Sequence, residues 1–312
     1  MNNKLYIING NLTKKTSFNL LYDINTQGFI WRGFTNKEKQ MLPSAAFYGV
    51  CNGQGGIGNF EKCDTKQPVF IMGELGRIAQ LINNINKLGK YPFQIPDELS
   101  DFIFPHSTGE TKFLENLKER FKIDYYPKSN LLLQAASYVQ HYYQGTMLMD
   151  FSTNPLKALY FAIGKNSSYN NDSWLFGMPV NIFQNHKDTI SGKKEYRFDL
   201  YLPSYYKNIR IQNQEGIFLY HSFDMDLVCK GESFDYINIL DIFEEQFKDS
   251  DKIELQEIEE KSKKSNFDGS NGRIGITYVL LKISKEEKPY LKYYLNSVGI
   301  DDNFMMGKAM RG

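Results

Sequence analysis

The chain has little cysteine and little tryptophan, with three and two residues respectively among 312. Cys51, Cys63 and Cys229 lack the paired spacing of a zinc site or a disulfide framework. The four histidines show no metal-ligand spacing with cysteine or carboxylate residues. A sparse, odd cysteine count suits a reducing compartment, so we expect a cytoplasmic protein that needs no metal.

Long apolar runs and an excess of one charge are also absent. No stretch of about 18 apolar residues occurs, and the first 15 residues lack a signal-peptide pattern, so we expect neither a membrane span nor a signal peptide. The 37 basic and 36 acidic residues give a net charge of +1. No overall field therefore directs the chain to nucleic acid or an anionic membrane, although a local basic patch leaves RNA or DNA targets open.

Aromatic residues are abundant, at 15% of the chain, and most must lie in a core. Short apolar runs alternate with helical patterns, which predicts a mixed α and β fold. Predicted strands span 4–8, 29–32, 146–151, 216–222 and 274–283, and predicted helices span 74–88, 107–121, 130–144 and 286–298. Leu88 belongs to the apolar face of the first of these helices.

Two further segments are predicted to be loops. The glycine-rich stretch Val50–Asn59 lacks the spacing of a phosphate-binding loop and is interpreted as a connector. Residues 249–272 are charged and polar, which predicts a mobile loop. Between them, Asn154 and Pro155 predict the start of a helix, because Asn caps well and Pro tolerates the first helical position.

Three separated segments carry the functional argument. The first is Trp31-Arg32-Gly33, the second runs from Gln140 to Gly164 (QHYYQGTMLMDFSTNPLKALYFAIG), and the third runs from Asn208 to Phe218 (NIRIQNQEGIF). Together they resemble the FRG domain, which carries an aromatic-Arg-Gly signature, a "QHYG…TRLLDWT…P..ALYFA" segment and a later "R…QQG.F" segment. The resemblance extends over about residues 20–300.

Five positions depart from that pattern. Phe34 stands where the family usually has Gln, and Tyr143-Gln144 interrupts the HYG sequence. Met147 replaces an Arg, and Glu215 replaces a second Gln. The resemblance implies one FRG-type domain over residues 1–312, with a helical insertion at about 74–125.

The order of the segments also resembles the ADP-ribosyltransferase superfamily, in which an early Arg or His, a middle Ser/Thr segment and a late Glu share one site. This likeness implies an α+β fold with a split mixed or antiparallel sheet and flanking helices. It also implies that NAD is a co-substrate. The predicted catalytic residues are Arg32, Gln214 and Glu215, and the predicted NAD-binding residues are Arg32, Gly33, His141, Tyr142, Ser152, Thr153, Tyr160 and Phe161.

Chemistry supports these roles. A guanidinium suits a pyrophosphate, and Gly33 would let the ligand approach the backbone. A tyrosine such as Tyr160 could stack on nicotinamide, and a carboxylate at Glu215 would stabilise the cationic ribose formed as nicotinamide leaves. Because a strand alternates its faces, Gln214 and Glu215 cannot both point into one cleft without a bend in the backbone.

Each of these residues also has a structural explanation. Arg32 can form an ion pair, Ser152 and Thr153 can cap a helix, and His141 can be a satisfied core histidine. Tyr160 and Phe161 can belong to the core, and Glu215 can simply start a strand.

The resemblance implies a toxin or antiphage effector that transfers ADP-ribose to a protein or nucleic-acid acceptor, with an antitoxin or chaperone as a further partner. Two alternatives remain open. One is a non-catalytic nucleotide-binding or interaction module, and the other is an NAD glycohydrolase that uses no macromolecular acceptor.

Overall fold

The computed structural model describes residues 5–16, 18–25, 28–35, 41–49, 61–62, 78, 81, 88–89, 130–142, 145–164, 169–180, 197–203, 208–222, 238–264 and 275–307. These residues form a mixed α+β fold, as the alternation of apolar runs and helical patterns predicts. Its centre is an eight-stranded sheet.

The strands of the sheet are short and come from the whole length of the chain. They are β1 (Leu5–Asn11), β2 (Phe29–Phe34), β5 (Met149–Ser152), β6 (Ser173–Pro179), β7 (Arg197–Tyr201), β8 (Gly216–Ser222), β9 (Asp251–Glu254) and β10 (Gly275–Ile283). Their order is β7-β8-β5-β2-β6-β10-β1-β9. Strand β1 is parallel to both β9 and β10, and the other pairs are antiparallel, so the sheet is mixed. A separate two-stranded sheet pairs β3 (Tyr48–Gly49) with β4 (Glu61–Lys62).

The sheet has a narrow waist between β2 and β5. These strands share one residue pair, Trp31 with Ser152, whereas β2 pairs with β6 over six residues and β5 pairs with β8 over four. The waist divides the sheet into a three-stranded part (β7-β8-β5) and a five-stranded part (β2-β6-β10-β1-β9). Beyond the Trp31–Ser152 pair the two parts separate, and the space between them becomes available to side chains.

Helices cover the sheet. The described helices are α1 (Phe18–Asn25), α2 (Asn130–Tyr142), α3 (Pro155–Ile163), α4 (Ile209–Gln214), α5 (Ile239–Gln246), α6 (Leu255–Lys264), α7 (Lys288–Ser297) and α8 (Asp302–Met305). A short 3-10 helix spans Ser44–Phe47.

Alternating residues of the strands supply two apolar layers, one on each side of the sheet. Ile8 and Trp31 belong to the layer beneath α1, α3 and α7, while their neighbours Ile7 and Ile30 belong to the layer beneath α5. A third cluster joins α2 to Leu148 and to the strands β7 and β8. The three clusters fix the positions of α2, α3 and α4, which surround the waist.

Helix α3 begins as the sequence predicts. Asn154 has extended backbone angles, and its Oδ1 accepts a hydrogen bond from the backbone N–H of Leu156 at 3.0 Å. Pro155 occupies the first turn, and Gly164 follows the last helical residue. Because eight of its nine residues are buried, packing adds to the capping contribution of about 1 kcal/mol.

Gly33 brings α3 unusually close to β2. A Cβ at this position would lie 1.9 Å from the carbonyl oxygen of Ala158 and 2.5 Å from the backbone nitrogen of Ala162. The close approach that this glycine permits is therefore to the helix backbone. Gly33 also lines the pocket described below, and its role in the approach of a ligand stays a prediction.

The prediction of a mobile loop over 249–272 is wrong for its first part. Residues 251–254 form β9, which pairs with β1, and residues 255–264 form α6. Leu255 is 1% exposed, and a Cβ on Gly10 would lie 2.6 Å from its Cβ. Tertiary packing of this leucine against β1 overrides the polar local sequence. Residues 265–274 lie outside the described part of the chain.

Other predictions can be checked only at a few positions. Within the predicted helix 74–88, Ile78 and Leu81 are helical, and Ile78 is fully buried. Leu88 lies in a turn and is 67% exposed, so its assignment to the apolar face is wrong. The helix at 107–121, the connector Val50–Asn59 and nearly all of the insertion at 74–125 lie outside the described residues.

Candidate functional site

A pocket of 410 Å³ opens at the waist of the sheet. Its size falls within the range of small-molecule sites. The residues that line it are Trp31, Arg32, Gly33, Thr35, Gln140, His141, Asp150, Phe151, Ser152, Ala158, Phe161, Arg210, Gln214 and Met306. Each of the three segments singled out in the sequence therefore contributes lining residues to this pocket.

Arg32 lies at the point where β2 and β5 separate. Its Nη1 donates a hydrogen bond of 2.6 Å to the backbone carbonyl of Asp150. If β2 and β5 continued to pair beyond Trp31 and Ser152, Asp150 would lie opposite Gly33. The Arg32 side chain therefore bonds the Asp150 carbonyl where the backbone of a paired strand would otherwise lie. Burial lowers the pKa of Arg32, and the Asp150 carboxylate opposes that effect, but a guanidinium stays charged in proteins.

Gln140 fixes the chain that leads into β5. Its Nε2 donates to the Leu148 carbonyl at 3.1 Å and to Asp150 Oδ2 at 2.8 Å, and its Oε1 accepts from the backbone N–H of Thr146. The Gln140 side chain thus holds the segment 146–150 at three residues, Thr146, Leu148 and Asp150. The carboxylate of Asp150 is oriented as a consequence.

His141 lies beside Gln140 and faces the other oxygen of the same carboxylate. Its Nε2 is 3.5 Å from Asp150 Oδ1, and both atoms are buried without a hydrogen-bond partner among the described residues. Burial lowers the pKa of His141, Asp150 raises it in part, and Arg210 lowers it further. The imidazole is therefore neutral near pH 7, and its ring packs edge-on against Phe218 at 5.6 Å between centroids.

Arg210 supplies a second cation to the pocket. Its Nε donates to the Met306 carbonyl at 3.0 Å, its Nη1 donates to the His141 carbonyl, and its guanidinium carbon lies 4.5 Å from the centre of the Tyr142 ring. Within the described part of the chain no carboxylate pairs with this guanidinium. An arginine held by carbonyls and an aromatic face is well suited to receive an anionic ligand.

Helix α4 also captures the C-terminal end of α8. Asn213 Nδ2 donates to the Phe304 carbonyl at 2.5 Å, and Gln214 Nε2 donates to the Met305 carbonyl at 3.2 Å. With Arg210, three side chains of one short helix satisfy three successive carbonyls. The polar residues of the third sequence segment thereby place Met306 in the wall of the pocket.

Ser152 and Thr153 tie the middle segment to the late one. Ser152 Oγ donates to the Gln214 carbonyl at 2.7 Å and accepts from the backbone N–H of Asn154 at 3.0 Å. The Thr153 N–H donates to the Glu215 carbonyl at 3.0 Å. The structure thus brings the two predicted segments together, and the Ser152 hydroxyl is engaged in holding them.

Glu215 turns away from the pocket. It is the residue with a left-handed backbone (φ 47°) that ends α4, and this bend sends the side chains of Gln214 and Glu215 in different directions. Glu215 Oε1 pairs with Lys157 Nζ at 2.7 Å, and its Oε2 lies 3.4 Å from Thr153 Oγ1. Gln214 lines the pocket, but the Glu215 carboxylate does not.

The predicted aromatic residues separate in the same way. Phe161 lines the pocket, whereas Tyr160 belongs to the core beneath the sheet and donates to Asp302 Oδ1 at 2.7 Å. Burial and this hydrogen bond raise the pKa of Tyr160. Tyr142 packs against Tyr138, with 4.8 Å between the ring centroids and the rings tilted by 31°, and its face contacts the Arg210 guanidinium. The structure therefore does not place Tyr160 where it could stack on a ligand in this pocket.

Eight residues of the pocket lining were not predicted as site residues, and Gln140, Asp150, Arg210 and Met306 are among them. For Asp150 a signal was present, because a single carboxylate interrupts the apolar run Met147–Phe151 at a strand position. Nothing in the local sequence connects Met306 to the others, since contacts across the fold place it there.

No group of three or more histidine, cysteine, aspartate or glutamate residues lies close enough to hold a metal ion in the part of the chain that the structure describes. The three cysteines fall outside that part. Among the described helices, none has the length and apolar character needed to cross a membrane.

Comparison with known families singles out one part of the chain. Residues 77–171 match the model of the FRG domain. The chain carries an FRG domain. The match covers less than a third of the sequence, narrower than the resemblance over 20–300, and it contains α2, β5 and α3. Neither the curated proteins nor the solved structures yielded a match.

Within the FRG match lie the pocket residues of the middle segment, including His141 and Asp150. Arg32 on one side and Arg210 on the other lie outside it. The pocket is therefore built by the FRG region together with strands and helices from both flanks.

Proposed function

We propose that this FRG protein is an NAD-dependent ADP-ribosyltransferase. The observation that supports the proposal is the convergence of the early, middle and late segments on a single pocket with Arg32 and Arg210 in its lining. We further propose that the waist of the sheet corresponds to the split core of the ADP-ribosyltransferases. A toxin or antiphage role in the cytoplasm, with an antitoxin or chaperone partner, belongs to the same proposal.

Two guanidinium groups in one pocket match the two phosphates of a pyrophosphate. A guanidinium offers planar paired donors to phosphate oxygens, and the bond strengthens where water is excluded. In this proposal Arg32 and Arg210 bind the pyrophosphate of NAD. In this proposal Phe161 offers an apolar face to a base, and Gln214 also lines the pocket.

The reaction breaks the bond between nicotinamide and the ribose carbon. The electron pair of that bond leaves with nicotinamide, which departs as a neutral molecule, and positive charge develops on the ribose. A nucleophilic oxygen or nitrogen of the acceptor then bonds to the same carbon and gives up its proton to solvent. The acceptor is a protein or a nucleic acid, or water if the protein is a glycohydrolase.

A second candidate is a non-catalytic nucleotide-binding module. It is supported by the contacts that two predicted catalytic side chains make within the protein. The Glu215 carboxylate pairs with Lys157, and Gln214 donates to a backbone carbonyl. In this version the same two arginines bind a nucleotide, and no bond is broken.

The experiment follows labelled NAD incubated with the protein and a cell extract. Transfer predicts label on a macromolecule together with free nicotinamide. Nicotinamide without labelled macromolecule indicates a glycohydrolase, and a rise in melting temperature without nicotinamide indicates a binding module. If the protein neither binds NAD nor releases nicotinamide, the proposed function is refuted.

Arg32→Lys tests the site itself. Lysine keeps the charge but cannot make paired hydrogen bonds, so we expect NAD affinity to fall by roughly tenfold or more. Lys248→Ala is the matched control, because Lys248 is an exposed cation outside the pocket. Equal losses in the two variants would mean that the pocket is not the NAD site.

A further inference from the structure

We propose that Asp150 is the carboxylate that faces the ligand in this pocket, and that Gln140 and His141 are positioning residues that hold it. The ligand class is a ribose-bearing nucleotide whose sugar lies against Asp150. This inference rests on the proposed function, and it transfers the role expected of Glu215 to a residue of the FRG match.

The first support is the direction in which Asp150 points. On β5 its neighbours Met149 and Phe151 belong to the apolar layer beneath α5, so alternation directs Asp150 away from that layer. Its side chain remains 41% exposed, and it lines the pocket. A carboxylate on a central strand that still faces a cavity is available to a ligand.

The second support is the way in which the carboxylate is held. Gln140 donates to Oδ2 at 2.8 Å, and His141 Nε2 lies 3.5 Å from the buried Oδ1. A closing movement of a few tenths of an ångström would give both unpartnered atoms a hydrogen bond, with the imidazole N–H as donor. Of two consecutive residues of α2, Gln140 therefore holds one oxygen and His141 lies next to the other, and such support is typical of functional groups that need accurate placement.

The third support is the distribution of charge around it. Arg32 binds the backbone carbonyl of Asp150, and Arg210 binds the backbone carbonyl of His141. The carboxylate thus shares the pocket lining with two cations. A nucleotide sugar has the complementary pattern, since its phosphates are anionic, while its hydroxyls donate hydrogen bonds and its anomeric carbon becomes positive during cleavage.

Glu215 provides the contrast. Its carboxylate is also partly exposed, at 42%, but its partner is Lys157 and its side chain lies outside the pocket lining. The two carboxylates can therefore be separated by matched variants, Asp150→Asn and Glu215→Gln, each of which replaces a carboxylate by the amide of the same shape.

The test measures nicotinamide release from NAD and the binding of ADP-ribose. We expect Asp150→Asn to lower kcat for release by roughly 100-fold or more, because it removes charge stabilisation in the transition state. We also expect it to weaken ADP-ribose binding by about tenfold, since an amide accepts the sugar hydroxyls less strongly. Glu215→Gln should leave both within about threefold and lower the melting temperature instead.

The positioning role has its own readout. His141→Gln should lower kcat with little change in KM. The His141 ring signal in NMR spectra, identified by its loss in that variant, should shift on addition of ADP-ribose to the wild type. At saturating ADP-ribose the shift should be smaller in Asp150→Asn. An unchanged ring signal in the wild type, or equal kinetics in His141→Gln, would overturn this role.

The outcomes separate the two proposals. If the wild type binds ADP-ribose but releases no nicotinamide, the enzymatic function fails, and the binding of Asp150→Asn still decides the role of Asp150. Equal binding in wild type and Asp150→Asn, or a larger loss in Glu215→Gln, overturns the assignment of Asp150. A wild type that binds neither NAD nor ADP-ribose overturns both.

Discussion

Replacing Gly33 by alanine distinguishes two explanations of the Trp31-Arg32-Gly33 signature. The sequence interpretation assigns Gly33 to ligand approach, and it predicts a normally folded variant that binds poorly. The structure assigns it to contact with α3, because the new Cβ would lie 1.9 Å from the Ala158 carbonyl oxygen and 2.5 Å from the Ala162 nitrogen. The structural explanation predicts a loss of stability.

The size of the effect follows from what the methyl group meets. Ordinary contact between carbon atoms lies at about 3.5–4.0 Å, so the helix must move by more than about 1 Å relative to β2. Backbone atoms cannot avoid the clash by changing rotamer. We expect a cost of about 3 kcal/mol, the upper part of the range for overpacked cores.

The assay is chemical denaturation followed by circular dichroism, with thermal unfolding as a second measurement. A loss of this size corresponds to a melting temperature lower by about 5 °C. The control is Gly28→Ala, where no heavy atom lies within 4 Å of the new Cβ and the left-handed backbone (φ 80°) alone contributes, at about 1 kcal/mol. A Gly33→Ala variant as stable as the wild type would refute the packing argument.

Three further predictions concern stability. Asn154→Ala should lose about 1 kcal/mol in urea denaturation, because the cap of α3 is removed, whereas Asn154→Ser should retain most of it. Glu215→Gln should lose about 1–2 kcal/mol by the same measurement, because buried Lys157 loses its charged partner at 2.7 Å. The loss is moderate because the Glu215 carboxylate is partly exposed. An unchanged free energy of unfolding would refute the importance of this ion pair. Burial raises the pKa of Tyr201 from 10.0 to about 12, so its stabilising effect is present below pH 10 and disappears as the pH rises toward 12. The difference in unfolding free energy between wild type and Tyr201→Phe should accordingly change by roughly 2 kcal/mol over that range, and a flat difference would contradict the burial argument.

The elements that could be predicted are those whose signals are local. The strand 216–222 and the start of α3 at Pro155 agree with the structure residue for residue. A short apolar run favours the strand, and a capping residue together with apolar periodicity favours the helix. Helix α6 could not be predicted, because its polar sequence is held by the contact of Leu255 with Gly10, which lies far away in the chain.

The site shows the same division between local and long-range information. The sequence identified the three segments that meet and singled out Arg32, His141 and Gln214, all of which line the pocket. It did not identify which carboxylate faces the cavity. That choice depends on the left-handed turn at Glu215 and on the two side chains of α2 that hold Asp150.

By itself the sequence determined the mixed α and β class, the FRG resemblance and the segments from which the site is made, because periodicity, caps and motifs are encoded in neighbouring residues. Only the tertiary structure decided that β2 and β5 share a single residue pair, that Gly33 contacts α3, and that Met306 lines the pocket. These features depend on the directions in which distant segments of the chain meet, and no local pattern specifies those directions.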